Sequence, residues 1–401
     1  MPGPADRRTF LTTTARAIIG ASACTYVGCR RANTKTVDAD PSRGLHELIA
    51  DLEHRIPKAL SDTTVPGCSI ALVRNGEIAW RRGFGMADVA SRLPVDDGTI
   101  FGTQSMSKPV FAYAVLKLCE TGVLDLDNAL TRYTPERWVP DDPRLDLITA
   151  RHVLSHTTGF QNWRASEDPL SIHFTPGARW QYSGEGYSYL QSVVSRLTGH
   201  VDPAVCSTFE ADVRVCATDI DAYMKAHLLG PFGMTSSGYL WDDAWAARVA
   251  TPHDAKGRPL GKGRPNNTGA ARYASSGGLY ATATDYARFL IEVINPKPAD
   301  AFRLTADSLQ MMTRPVVPVP DEAAPVPGDP RGTSWALGWQ VFPTIDGNVI
   351  AHGGDVEGSH SFAVASVSHR SAYVVMTNGE NGWKLTHQLI TGNDMHRLLT
   401  A

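Results

Sequence analysis

The sequence predicts an α+β fold: one antiparallel β-sheet flanked by helices, with a mainly helical subdomain inserted. Strand patterns lie near both ends of the chain, whereas residues 101–270 read mostly as short helices broken by glycine and proline. Helices that cover a sheet allow strands far apart in sequence to share it. We expect an export leader at residues 1–38 and one domain at 39–401, with the sheet from 39–100 and 271–401 and the helical subdomain from 101–270.

The first predicted elements are a helix and a hairpin. Apolar residues at helical spacing predict a helix over 45–53, ended near Pro66 and Gly67. The apolar runs 69–73 and 78–80 then flank Asn75 and Gly76, a dipeptide that tolerates the positive φ values of a type I′ turn. These runs therefore predict two antiparallel strands.

The later elements follow the same rules of periodicity. Residues 362–367 and 372–376 predict a second strand pair, and a helical pattern over 383–399 follows it. Between the two strand pairs, four helices are predicted, over 110–120, 150–155, 187–197 and 219–229.

Composition excludes several classes of function. The chain has 401 residues, of which 42% are hydrophobic, and a net charge of -3. A large core is possible, but no broad basic surface for nucleic acid is indicated. No uninterrupted run of about 18 apolar residues occurs, so no transmembrane span is predicted.

The N-terminus resembles an export signal. Arg7 and Arg8 precede a small, apolar stretch at 17–23, a pattern typical of twin-arginine leaders, although a basic tail is the alternative. We expect a periplasmic or extracellular protein. The residues before Cys24 and Cys29 each match part of a lipid-attachment motif, so a membrane-anchored lipoprotein is the alternative.

The cysteines and histidines do not form a metal-binding pattern. Cys206 and Cys216 lie in one polar stretch and can close a short disulfide loop in an oxidising compartment, whereas Cys68 and Cys119 lie in apolar stretches typical of a core. His152 and His156 are four apart, but no Glu of the metalloprotease pattern lies between them. We therefore predict no metal and no cofactor.

Ser105 and Lys108 form the first candidate for chemistry. An extended segment at 99–102 precedes them, and a helical pattern follows, so both side chains share one helix face. A nearby amine that burial keeps partly neutral can accept the proton of a serine hydroxyl. A helix N-terminus at Ser105 adds amide donors for a developing anion.

Two further segments complete the candidate site. Tyr182 and Gly184 lie on a glycine-rich turn before a helix, where a phenol beside the Lys108 cation is expected to ionise easily and relay a proton. His352 follows an apolar run that suggests an edge strand along a cleft, where it is expected to contact the substrate or support Tyr182. There Gly354 is expected to let a substrate approach, and the Asp355 amide to join that of Ser105 in an oxyanion hole.

These three segments, in this order and at these separations, resemble the serine β-lactamase and penicillin-binding-protein family. The motifs are similar to those of class C β-lactamases, D-alanyl-D-alanine peptidases and related bacterial esterases. The resemblance implies Ser105 and Lys108 for the Ser-x-x-Lys motif, Tyr182 for the Tyr-x-Asn motif, and His352 with Gly354 for the third. It also makes His156 a structural residue. Four supporting stretches match the family, at 101–113, 148–159, 230–234 and 276–282.

The sequence departs from the family at two positions. Gly184 replaces the Asn of the second motif, and His352 replaces the lysine of the third. Both losses argue against efficient penicillin turnover, so we expect an esterase or a D-amino-acid peptidase-like serine hydrolase that acts through an acyl-enzyme on a small-molecule or peptide substrate. The alternatives are a true β-lactamase and a non-catalytic penicillin sensor or cell-wall-peptide binding scaffold.

Overall fold

The structure is a computed structural model, which describes residues 41–134, 137–164, 168–199, 220–261, 273–320, 333–344 and 346–391. The predicted leader, the two candidate lipid-attachment cysteines and the predicted Cys206–Cys216 disulfide lie outside the described residues. Cys68 and Cys119 are free thiols.

Among the described residues, nine strands form an antiparallel sheet at the centre of the fold, as predicted. Its strands in chain order are β1 (Gly67–Arg74), β2 (Glu77–Asp88), β3 (Leu93–Pro94), β6 (Val317–Pro318), β7 (Ser334–Trp335), β8 (Gln340–Thr344), β9 (Gly347–Val356), β10 (Ser359–Ser366) and β11 (Ser371–Thr377). Their spatial order is β3-β2-β1-β11-β10-β9-β8-β7-β6. The short strands β4 (Phe101–Gly102) and β5 (Tyr280–Ala281) pair separately.

The two predicted strand pairs meet in the middle of this sheet. Asn75 and Gly76 have φ values of 55° and 76°, as the type I′ turn between β1 and β2 requires. β1 then pairs with β11 from Cys68 opposite Thr377 to Val73 opposite Ala372. The N-terminal and C-terminal parts of the domain are therefore joined by backbone hydrogen bonds.

The expectation that His352 lies on an edge strand needs correction. β9 is an interior strand between β10 and β8, and its pairing with β8 runs from Gly347 to Ala351. From His352 onward, β9 continues to pair with β10 but extends past β8. In this C-terminal half of β9, the backbone edge next to β8 has no pairing with β8. The candidate site residues of β9 lie in this half.

The helices lie on both faces of the sheet. In chain order they are α1 (Pro41–Thr63), α2 (Ser107–Glu120), α3 (Ala150–Leu154), α4 (Gly184–Thr198), α5 (Ala274–Gly277), α6 (Ala283–Ile294), α7 (Ala306–Thr313) and α8 (Gly382–Thr391). A further helical segment spans 220–224 and continues as a π-turn over Lys225–Leu229.

The first helix is longer than its sequence pattern predicts. α1 runs through Pro57 and ends at Thr63, shortly before the predicted stop at Pro66 and Gly67, because the buried Ile56 and Leu60 continue the apolar face of residues 45–53. α1 and α8 pack together on one face of the sheet, where they bury Leu52 and Leu385 against Leu72 and Val375. α6 packs on the other face, against β1 and β11.

Truncating Leu72 to alanine tests the packing on the α1 and α8 face. Leu72 is fully buried there, so we expect Leu72→Ala to lower the free energy of unfolding by about 2–5 kcal/mol. Leu147→Ala is the matched control, because 49% of Leu147 is exposed, and it should change stability by less than about 0.5 kcal/mol. Urea denaturation measures both, and equal effects would contradict this assignment of the core.

Candidate active site

Ser105 lies in a strained turn at the start of α2. A 3-10 turn over Gln104–Met106 leads directly into the helix, and Gln104 has a φ of 45°, in the left-handed region that disfavours a side chain. Ser107 Oγ donates a hydrogen bond of 2.5 Å to the Gln104 carbonyl, and Ser361 Oγ donates one of 3.0 Å to the Thr103 carbonyl. The surrounding chain therefore holds the turn in place.

Lys108 is fully buried one turn after Ser105. Its Nζ lies 3.2 Å from Ser105 Oγ and donates a 2.6 Å hydrogen bond to the Ser276 carbonyl in α5. Burial lowers the pKa of the Lys108 amine well below its usual range, because a charged ammonium loses its hydration. A neutral amine in this position can accept the proton of Ser105.

Tyr182 lies beside the same pair. Lys108 Nζ is 4.8 Å from the centroid of the Tyr182 ring. Burial raises the pKa of the Tyr182 phenol, and a hydrogen bond with Ser105 opposes that shift without reversing it. The expectation that Lys108 would make Tyr182 ionise easily is therefore wrong, because burial disfavours charge on both groups. Tyr182 keeps its proton and can donate it.

His156 packs against the ring of Tyr182. The two rings are 4.1 Å apart, and His156 is fully buried with a φ of 57°. Its Nδ1 accepts a 3.1 Å hydrogen bond from the Ser183 backbone N–H, so the neutral ring carries its proton on Nε2. Burial, then Lys108 and His352, lower the pKa of His156 well below its usual range.

His352 is the second neutral imidazole of the site. Its Nδ1 lies 2.8 Å from the Gly353 carbonyl and donates to it, which leaves Nε2 as an acceptor. Burial and, secondarily, Lys108 lower the pKa of His352 to about 3. The His352 ring lies 6.3 Å from that of Tyr182 and 5.5 Å from that of Trp335.

Gly354 and Gly184 of the predicted site pack closely against other segments of the protein. A Cβ added to Gly354 would overlap the Thr103 carbonyl oxygen and lie 2.8 Å from Ser361 Oγ. The absence of a side chain at Gly354 thus lets β9 approach the turn that carries Ser105. Asp355 follows as an exposed residue, with its carboxylate 3.6 Å from His360 Nδ1. Gly184 packs against the indole of Trp163.

Sequence reasoning missed two parts of this site. The first is the Ser276 carbonyl, which accepts a hydrogen bond from Lys108. Because this is a backbone group, the identity of residue 276 does not indicate the contact, although 276–282 is one of the stretches that resemble the family. Trp163 lies with its ring centroid 5.7 Å from Lys108 Nζ, and no motif marked it. His152, by contrast, accepts from the Thr149 backbone N–H in the cap of α3.

The comparison with family models decides the family. The model described as Beta-lactamase matches residues 49–388, which is most of the chain. The chain belongs to the beta-lactamase family. It is a serine hydrolase of that family, as its motifs predicted. Among the described residues, no helix is long and apolar enough to cross a membrane.

Several known proteins resemble this beta-lactamase family member. Esterase EstB from Burkholderia gladioli is 29% identical over 343 residues, covering 73% of this chain and 79% of that protein. Protein flp from Staphylococcus aureus is 22% identical over 82% of this chain, which spans only 61% of its length. The D-alanine carboxypeptidase AmpC from Burkholderia cenocepacia superposes with a TM-score of 0.67 at 17% identity, covering 87% of this chain and 99% of that one.

Gly354→Ala tests whether the close approach of β9 positions the Ser105 turn. The added Cβ would overlap a backbone oxygen, so β9 and the turn must separate, and we expect the hydrolase activity to fall at least about tenfold with a stability loss of about 1–3 kcal/mol. Gly98→Ala is the control, because its Cβ would meet its nearest atoms at 3.5 Å. Full activity of folded Gly354→Ala would refute this role.

Proposed function

We propose that the protein is an esterase in which Ser105 is the nucleophile and Lys108 its general base. The carrying observation is the 3.2 Å separation of Lys108 Nζ and Ser105 Oγ, with the amine fully buried. Burial favours the neutral amine, which is the form that can remove the proton of Ser105 at neutral pH. A protonated lysine would lack the lone pair that this step needs.

The acylation step follows from these protonation states. Ser105 Oγ forms a bond to the ester carbonyl carbon while its proton moves to Lys108 Nζ. The carbonyl oxygen becomes an oxyanion, which the backbone amides of Ser105 and Asp355 are proposed to bind. The ester C–O bond then breaks, the alcohol takes the proton of the Tyr182 hydroxyl, and Lys108 returns its extra proton to Tyr182.

Deacylation runs through the same groups in the reverse order. A water molecule attacks the acyl carbon, gives up its proton to the tyrosine and lysine pair, and releases the carboxylic acid as Ser105 regains its proton. Each turnover therefore consumes one ester and one water and leaves the side chains as they began. No cofactor enters this scheme.

The charge of the site favours an ester over substrates that carry a carboxylate. Penicillins and D-alanyl peptides are anions, whereas burial lowers the pKa values of Lys108, His156 and His352 and so disfavours a fixed cation on each of these three groups. The similarity to esterase EstB supports the same conclusion. Peptidase activity, lactam hydrolysis and a non-catalytic scaffold are the other outcomes that the experiment below distinguishes.

Ester hydrolysis by the purified protein is the first test. We expect release of p-nitrophenol from p-nitrophenyl acetate and butyrate, and slower turnover of nitrocefin and of a D-alanyl-D-alanine peptide. Ser105→Ala should lower the ester rate at least about 1,000-fold, because it removes the nucleophile. Ser368→Ala, at an exposed serine, should leave that rate unchanged. Faster nitrocefin or peptide turnover, or an ester rate that survives Ser105→Ala, would contradict the proposal.

The pH dependence of kcat/KM tests the role of Lys108. A base with a lowered pKa should give an activity that rises with pH and reaches its plateau well below the usual lysine value of about 10.4. Lys108→Arg should reduce kcat at least about 1,000-fold at every pH, because a guanidinium stays protonated. Lys58→Arg, at an exposed lysine, is the control. A Lys108→Arg variant that keeps a tenth of the activity would exclude this base.

A further inference from the structure

Three aromatic rings enclose the Lys108 amine. Its Nζ lies 4.8 Å from the ring centroid of Tyr182, 5.5 Å from that of Tyr187 and 5.7 Å from that of Trp163. Tyr187 is fully buried in α4, whereas 45% of Trp163 is exposed. The indole therefore has the buried amine on one side and solvent on the other.

The indole occupies this place because residue 184 has no side chain. A Cβ added to Gly184 would overlap the six-membered ring of Trp163 and lie 2.6 Å from its Cζ2. The φ of Gly184 does not lie in the left-handed region, so its backbone conformation does not require glycine. The close approach of the Trp163 ring does require it.

The main chain on both sides of Trp163 is attached to the start of α4. The carbonyl oxygen of Asn162 accepts from the backbone N–H groups of Gly184 and Glu185, each at 3.1 Å. The backbone N–H of Arg164 donates to Glu185 Oε1 at 3.3 Å, and its guanidinium Nε lies 3.4 Å from the same oxygen. These bonds fix the backbone, whereas the indole itself is held by packing against Gly184 and, edge to face, against Tyr273.

We propose that Trp163 is a positioning residue whose indole forms the outer wall of this enclosure and keeps water from the Lys108 amine. This inference rests on the proposed function, because exclusion of water matters to catalysis only if Lys108 acts as the base. Trp163 acts through Lys108 and takes no part in bond making or breaking.

The groups around Lys108 determine the sign of the effect. Four groups contact the amine or lie close to it: the Ser105 hydroxyl, the Ser276 carbonyl, and the rings of Tyr182 and Tyr187. His156 and His352 are near enough for Lys108 to lower their pKa values. The Arg164 and Glu185 charges beside Trp163 pair with each other. Ring faces attract an ammonium, but loss of hydration outweighs this attraction in a buried site. Letting water in should therefore raise the pKa of Lys108.

Trp163→Ala is the direct test. We expect the acid limb of the kcat/KM profile for p-nitrophenyl acetate to move to higher pH by about one unit or more, because a hydrated Lys108 holds its proton more tightly. Activity at pH 6 should fall about tenfold, while activity on the alkaline plateau falls much less. Trp163→Phe should restore much of the wild-type profile, since a smaller ring still covers the amine.

Gly184→Ala provides an independent route to the same state. The new Cβ meets the end of a half-exposed side chain, so the indole can swing outward without disrupting the core. We expect this variant to fold and to shift the acid limb in the same direction. The Trp163→Ala and Gly184→Ala double variant should shift the acid limb no further than Trp163→Ala alone, because both substitutions remove the same indole from the enclosure.

The outcomes separate this inference from the proposed function. An active wild type whose acid limb stays in place in Trp163→Ala and Gly184→Ala would overturn the role of Trp163 and leave the esterase proposal standing. A shift to lower pH would overturn it as well. A wild type with neither ester hydrolysis nor labelling of Ser105 by a fluorophosphonate would overturn the proposed function and, with it, this inference.

Discussion

The burial of one lysine amine is the constraint on which the rest of the site depends. A charged ammonium that leaves water is strongly destabilised, so the fully buried Lys108 favours its neutral form. A neutral amine still needs a hydrogen-bond partner, and the Ser276 carbonyl provides one at 2.6 Å. Lys108 lies on α2, and the groups around it come from the Ser105 turn, the 182 region, α4, α5 and the 163 region, so the amine is buried only when these segments are assembled.

The position of Ser105 depends on contacts with the sheet as well as on its own helix. Its turn contains a non-glycine residue, Gln104, with positive φ, a conformation that costs about 1–3 kcal/mol and persists only where the surroundings enforce it. Ser361 on β10 bonds to the Thr103 carbonyl, and the missing side chain of Gly354 lets β9 approach the same carbonyl. Packing of the sheet against the helical region thus offsets the strain beside Ser105.

Local patterns in the sequence predicted what local interactions determine. The Asn75-Gly76 turn, the strand pairs around it and the shared helix face of Ser105 and Lys108 all depend on residues a few positions apart. Periodicity does not encode contacts between distant segments. Three features of the site depend on such contacts: β8 stops pairing before His352, the Ser276 carbonyl bonds to Lys108, and the Trp163 indole packs on Gly184. The protonation of Tyr182 was predicted wrongly for the same reason, because burial decides it.

The two imidazoles of the site have opposite tautomers, and this determines how the site can stabilise charge. His156 accepts at Nδ1 and so carries its proton on Nε2, whereas His352 donates from Nδ1 and leaves Nε2 as an acceptor. Both have lowered pKa values, as does Lys108, because burial disfavours the charged form of each group. In the proposed mechanism the oxyanion is bound by backbone amides, whose effect depends on fixed orientation. The strained Gln104 turn and the Gly354 contact hold the Ser105 backbone in place, so the proposed oxyanion site depends on the packing of β9 against this turn.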